Sequence, residues 1–360
     1  MFLMFLVVSH PSPNPYLCSH QKIKMHKIHK NTLHDLEFPT VLDHLVLRCH
    51  TELGKEQAMS VQPMKTKEEI VDALGKTSEY LSSFSNDNHL PNHGFESINV
   101  ELKLLKIENA TLEVGGFKKI GHICTTVTTQ LKYLKKFQEY YPLLFQSTEA
   151  IELNTEIPAQ INTVIDKFGE IKDNASLALH SIRQNMGSIK GKINQSFTQA
   201  LGTYQSSDYL DDIRESVVEN RRVLAVKAMY RKKIKGSVMG SSKTGSIVYI
   251  EPEATLRYNR ELNNLEFEEK EEIQRILKNL TDVIRPSGYL LSDYQDFLTQ
   301  LDITAAKAKY ALDMNAVLPE INDQRKLFLR DAYHPLLYLA NKRKNDKTYP
   351  QTIELNPDNR

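Results

Sequence analysis

Cysteine is scarce in this sequence: three residues in 360, at Cys18, Cys49 and Cys124. So few and so scattered, they exclude a disulfide framework and a cysteine-built zinc site, and free thiols in a reducing, cytoplasmic setting are expected. Net charge is nearly absent too, since 46 Lys and Arg against 45 Asp and Glu leave +1. That balance names no partner, because opposite charges can be segregated along a chain. No apolar run approaches the roughly 20 residues needed to span a bilayer, so no membrane partner is expected. "MFLMFLVV" at the start is too short, and it lacks the basic flank of a secretory signal. Met25 reads as a natural beginning, and residues 1–24 are treated as an extension outside the fold.

Chemistry-bearing clusters are missing as well. His89 and His93 stand four apart in the loop "SNDNHLPNHG", without a carboxylate cluster about them, so no metal site is expected. No nucleophile–base pair emerges, and no catalytic residue is assigned. "GSVMGSSKTG" (236–245) imitates a phosphate loop, but that loop requires G-x-x-x-x-G-K-[ST] leading from a strand into a helix. Here two serines separate Gly240 from Lys243, and the strand-like "SIVYIEP" follows. A nucleotide cradle at this position is excluded.

What is present is mostly helix, with 40% apolar and 25% charged residues and length for two or three domains. Val41, Leu42, Leu45, Val46, Cys49 and Leu53 form one stripe at three-and-four spacing. Thr66 with Glu69 makes a capping box. After "TLEVGG" a helix runs through Ile120, Ile123, Val127, Leu131 and Leu134. Ser176 is the expected N-cap of a helix of about 28 residues, or about 42 Å, carrying Ala178, Ile182, Met186, Ile189, Ile193, Phe197 and Leu201 along one face. A second long helix, "ATLRYNRELNNLEFEEKEEIQRILKNLTDVI", runs without Pro or Gly until Pro286 stops or kinks it. Glu266–Lys270 and Glu271–Arg275 are its expected i,i+4 pairs. Two such helices flanking a short insertion predict an antiparallel arm.

The insertion carries strand signals at "RRVLAVKAMY" and "GSIVYIEP", with "GSSKTG" as turn residues, and hairpin-like strands are expected. Between Asn220 and Ile250 lie eight basic residues and no Asp or Glu: Arg221, Arg222, Lys227, Arg231, Lys232, Lys233, Lys235 and Lys243. The returning helix instead places six glutamates between Glu261 and Glu272. An acid-free basic tip is an electrostatic footprint for a polyanion. Lys and Arg there would contact phosphates with little sequence preference, and Ser241 and Ser242 of the turn could join them. A second reading is a helical interaction protein without nucleic acid.

The run "VLAVKAMYRKKIKGSVMGSSKTGSIVYIEPEATLRYNRELNNLEFEEKEEIQRIL" resembles the MutS family, in its second, Smr-bearing branch. "LEFPTVLDHL…ELGKEQA", "IKDNASLALHSIR", "DITAAKAKYALDMNAVLPEIND" and "AYHPLL" extend the resemblance from residue 25 to 360, in order. Met239 and Gly240 stand where the family often has His and an acidic residue, so no role tied to that pair is carried over. The resemblance implies a mainly α fold, a helical core (lever) bundle with a clamp arm. The core would span 25–174, the arm 175–285 with its β tip at about 221–251, and a returning lever helix 286–323. The start of an ATPase domain would occupy 324–360, truncated before the phosphate loop. It implies no cofactor within this chain, ATP and Mg in the full-length family, and a fragment inactive by itself as ATPase or Smr nuclease. Tyr349 would stack on adenine in a complete ATPase. DNA, branched or duplex, is the implied partner, with ribosomal RNA the alternative, and the full-length protein is expected to be a homodimer.

Overall fold

The protein is described here by a computed structural model covering residues 30–85, 89–323 and 326–356; the extension at 1–24 and the start at Met25 lie outside them. The chain opens with α1 (Lys30–Asp35), α2 (Phe38–Val46), α3 (Glu52–Met59), α4 (Lys67–Ser83), α5 (Asn99–Leu105), α6 (Val114–Lys136) and α7 (Pro142–Gln146). Next come α8 (Glu156–Val164) and the long α9 (Leu177–Gln205). Four strands follow: β1 (Leu210–Val218), β2 (Arg221–Lys227), β3 (Gly236–Ser241) and β4 (Ile247–Pro252). The chain then forms α10 (Glu253–Ile284), α11 (Gly288–Asp313), β5 (Leu327–Ala332), α12 (Pro335–Lys344) and β6 (Gln351–Leu355). This is a mainly helical bundle with a small antiparallel sheet, the expected fold class. Two compact units result. One uses the chain through Lys106, Gly116–Pro158 and everything from Pro286; the other uses Ile107–Gly115 and Ala159–Arg285.

In the first unit α11 is the central element. It buries residues on every side, Leu291, Leu298, Ala305, Ala306, Ala308 and Tyr310 among them, the pattern of a helix enclosed by others. Its buried polar side chains hold the surrounding loops. The Tyr294 hydroxyl donates to Glu152 O (2.7 Å) and accepts from Asn154 N (2.9 Å), while Gln295 Oε1 accepts from Ile98 N (2.8 Å). Asp302, fully buried, accepts from His50 N (2.9 Å), Thr51 N (2.8 Å), the Thr51 hydroxyl (2.7 Å) and His93 Nε2 (3.1 Å). Burial alone would raise this carboxyl's pKa. The hydrogen bonds from His93, His50 and Thr51 outweigh it and bring the value down to about 2.

This network corrects two expectations. His93 does have a carboxylate partner, Asp302, 209 residues away in sequence, and Tyr80 Oη lies 3.3 Å from its other ring nitrogen. Sequence distance concealed the pairing. No group of three metal-ligating side chains occurs among the described residues. The single stripe from Val41 to Leu53 is split between α2 and α3, because the Thr51 hydroxyl caps α3 by accepting from Gly54 N (3.0 Å). At Gly54 the helix start approaches Asp302 so closely that an added Cβ would meet Oδ2 at 2.1 Å. Gly54→Ala is therefore expected to cost about 2 kcal/mol or more through overpacking, read as a lower urea midpoint with the slope unchanged.

Half of the expected capping box is present at α4: Thr66 Oγ1 accepts from Glu69 N, whereas Glu69 Oε2 accepts from Lys65 N, one residue before the cap. In the second unit Ser176 caps α9, accepting from Leu179 N (3.0 Å), and the helix runs 29 residues. Leu179, Met186, Ile189 and Phe197 are its buried face, whereas Ala178 is exposed one step off the stripe. α9 and α10 are antiparallel partners, joined by Arg183 Nε to Glu269 (2.7 Å) and by the Ser176 hydroxyl to Glu272 (2.5 Å). Arg275 pairs with Glu272, three residues back, and not with Glu271 as the spacing suggested. Glu272 points toward Ser176, so the guanidinium follows the carboxylate that is already fixed. Pro286 separates α10 from α11 through a short 3-10 turn at Arg285–Ser287.

Candidate nucleic-acid interface

The strands of the second unit form one antiparallel sheet in the order β1-β2-β4-β3. Leu224 and Val226 on β2 alternate toward the same face as Val248 and Ile250 on β4, packing with Phe197 of α9, Leu210 and Ile234. Leu201 and Tyr204 extend this core along α9. The expected strands do pair, with Leu224 opposite Ile250 and Val226 opposite Val248. They are not a simple hairpin, however, because a 3-10 segment (Ala228–Lys233) and β3 intervene. The first six residues of "GSVMGSSKTG" are therefore the edge strand itself. Its turn closes where Ser242 O accepts from Gly245 N (2.9 Å), with Gly245 at φ 72°, a conformation glycine adopts without steric cost. The Ser242 hydroxyl accepts from Ile247 N (3.1 Å), so this side chain braces the turn. Ser241 is exposed. The register slips between Val238 and Gly240, leaving Met239 as the extra residue of a bulge.

β1 was not anticipated. Its alternation is broken by a bulge between Leu210 and Glu215, where Arg214 takes a positive φ of 61°. The strand brings Asp211, Asp212 and Glu215 into the sheet, so the acid-free span 220–250 is only part of it. The sheet is polarised, with acidic side chains along the β1 edge and cations around the 3-10 segment and the β3 edge.

The eight basic side chains fall into two groups. Arg221 Nη1 donates to Glu251 Oε2 (2.9 Å), a carboxylate with no exposed surface that also accepts from Asn259 (2.5 Å). Arg222 bonds Glu215 (2.6 Å) and stacks on the Phe197 ring at 4.2 Å, and Lys227 pairs with Asp208 (3.1 Å). For Lys227 the Asp208 hydrogen bond raises the pKa. Charges held this way serve the sheet. Arg231, Lys232, Lys233, Lys235 and Lys243 are exposed, and none makes an ion pair among the described residues. Removing Arg221 would leave the Glu251 carboxylate buried and half-compensated, so Arg221→Ala should cost about 2–3 kcal/mol, measured by urea unfolding. Sequence spacing could not divide these groups, because Glu251 sits in a strand end that reads as solvent-facing.

Tyr349 is 70% exposed, with Lys347 Nζ 5.1 Å from its ring centre. It precedes β6, which pairs antiparallel with β5 as a two-stranded ribbon in the first unit. No helix among the described residues is long and apolar enough to cross a membrane.

The architecture is that of an antiparallel helical arm ending in a charge-polarised sheet, together with a helical bundle built on α11. No family model matches the chain. It is homologous to MutS2-family proteins over most of its length. The "Endonuclease MutS2" of Geobacillus sp. (strain WCH70) is 30% identical over 338 residues, covering 92% of this chain and 42% of that protein. The protein of the same name from Finegoldia magna is 31% identical over 320 residues, 86% of this chain and 39% of that one. In Halothermothrix orenii the figures are 26%, 86% and 40%. The chain thus spans about two fifths of the length of the curated relatives it matches.

Proposed function

We propose that this chain is the core and clamp part of a MutS-like ATPase of the second branch, gripping a nucleic-acid backbone with the basic edge of its arm sheet. The observation that carries the reading is the division of the basic residues. Five cations stand exposed on the 3-10 segment and at the two ends of the edge strand β3 with no ion-pair partner among the described residues, where folding alone gives them no task. Contacts from such residues position a backbone and release its counterions, with little base preference. The homology supports the same reading, since the relatives are named as endonucleases.

In this proposal residues 25–174 and 286–323 make the core and lever, and 175–285 the clamp. Residues 324–360 begin an ATPase domain in which Tyr349 would stack on adenine. ATP and Mg would act in that domain in a longer chain, and its state would move the levers and so open or close a pair of clamps in a homodimer. DNA and ribosomal RNA present the same phosphates, so the test carries both. Fluorescence anisotropy would follow titration of labelled duplex DNA, a four-way DNA junction and a structured RNA at two salt concentrations. Binding that weakens steeply with salt is expected, with the tighter ligand identifying the target. Absence of binding to all three by the folded protein would leave the helical interaction reading in its place.

A further inference from the structure

The first unit contains a cavity of about 540 Å³ that the clamp reading does not use, within the roughly 300–1,000 Å³ of small-molecule sites. Its wall is apolar, with Leu36, Ile70, Leu74, Met314, Leu329 and Ile353 drawn from the α1–α2 junction, α4, the residue after α11, and the β5–β6 ribbon. One cation interrupts this surface. Lys307 lies on α11 between Ala306 and Ala308, both without exposed surface, and it lines the cavity. Among the described residues no hydrogen bond or ion pair reaches its ammonium group. Burial pushes the amine below the usual lysine value.

The other charged groups of the lining sit at the mouth. The Asp35 side chain is 78% exposed beside His34, and His334 is half exposed and faces Glu37 at 3.9 Å. Neither pairs with Lys307. A cation held in an apolar wall without a counter-charge is costly, and it matches a ligand bringing one negative charge on an otherwise apolar body.

We propose that this cavity binds a small anionic amphiphile, a medium-chain carboxylate, with its head group on Lys307 and its alkyl tail along the wall formed by α4 and the β5–β6 ribbon. The head group would form a charge-assisted hydrogen bond with the ammonium, and the tail would leave water for the apolar lining. This inference does not depend on the nucleic-acid reading, and its failure would leave that reading untouched.

Isothermal titration calorimetry with decanoate, below its micelle-forming concentration, tests it on the full chain. One saturable site is expected in the wild type. Lys307→Met keeps the length and apolar stem but removes the charge, so decanoate should bind at least about tenfold more weakly. The neutral comparator decanol should bind both proteins alike. Leu74→Trp, which adds bulk to the wall, should abolish both, and far-UV circular dichroism would establish that each variant is folded. If Lys307→Met does not fold, the Leu74→Trp arm decides. No saturable binding to the wild type, decanoate affinity unchanged by Lys307→Met, or full binding in Leu74→Trp would each overturn the proposal.

Discussion

Replacing Arg231, Lys232, Lys233, Lys235 and Lys243 together with Ala is expected to weaken polyanion binding by about a hundredfold near 0.1 M salt. It should also flatten the salt dependence. Each phosphate contact contributes about 0.9 to the slope of log K against log salt for duplex DNA, so five contacts would remove about 4–5 from it. Folding stability should hardly change, because exposed side chains without partners contribute little. Anisotropy titrations across a salt series, paired with thermal melts, separate the two effects. An unchanged slope in a variant of native stability would end the clamp-edge proposal. The ion-paired group supplies the contrast: Arg221→Ala should shift the unfolding midpoint and leave the slope largely intact.

The second large effect is structural. Asp302→Ala removes the acceptor for four donors at once, two backbone amides, the Thr51 hydroxyl and the His93 ring. Buried donors left without partners are expensive, and a loss of about 3–5 kcal/mol is expected, as for other broken buried charge networks. Hydrogen exchange should localise it, with protection falling at residues 42–60, 80–85 and 89–93 and persisting in the arm sheet at 221–252. The carboxylate also sets a pH window. Its folded pKa of about 2 lies below the unfolded value of about 3.9. Its contribution, about 2–3 kcal/mol, is therefore complete above pH 4 and vanishes as pH falls through 2. Asp302→Asn should flatten stability over that interval. A wild-type acid unfolding curve matching that of the Asn variant would show that the network does not hold the unit.

Much of this was legible in the residues. Thr66 and Ser176 announce their caps because an N-cap acts within three residues of itself. The long helices declare themselves by period, and Pro286 marks a break that its missing N–H makes obligatory. Partners across long sequence intervals were not legible. Nothing around His93 points to Asp302, and nothing around Arg221 reveals that Glu251 is buried beneath it. β1 escaped for a different reason: a bulge and three acidic side chains interrupt the alternation that identifies a strand. The candidate site was thus found as a composition, and only the fold divided its cations into those spent on the sheet and those left facing solvent.

The arm interrupts the bundle in sequence, and this bears on how the chain is made. Asp302 lies 252 residues after His50, whose amide it must accept. A ribosome working from the amino terminus completes α9, the sheet and α10 before α11 exists. The arm can therefore fold during synthesis, its strands being close neighbours in the chain. The earlier helices must wait, with Leu45 and Ile98 lacking the central helix against which they pack. The helix at the centre of the bundle is made after the ones it holds, so the interval before its emergence is when this protein most needs a chaperone.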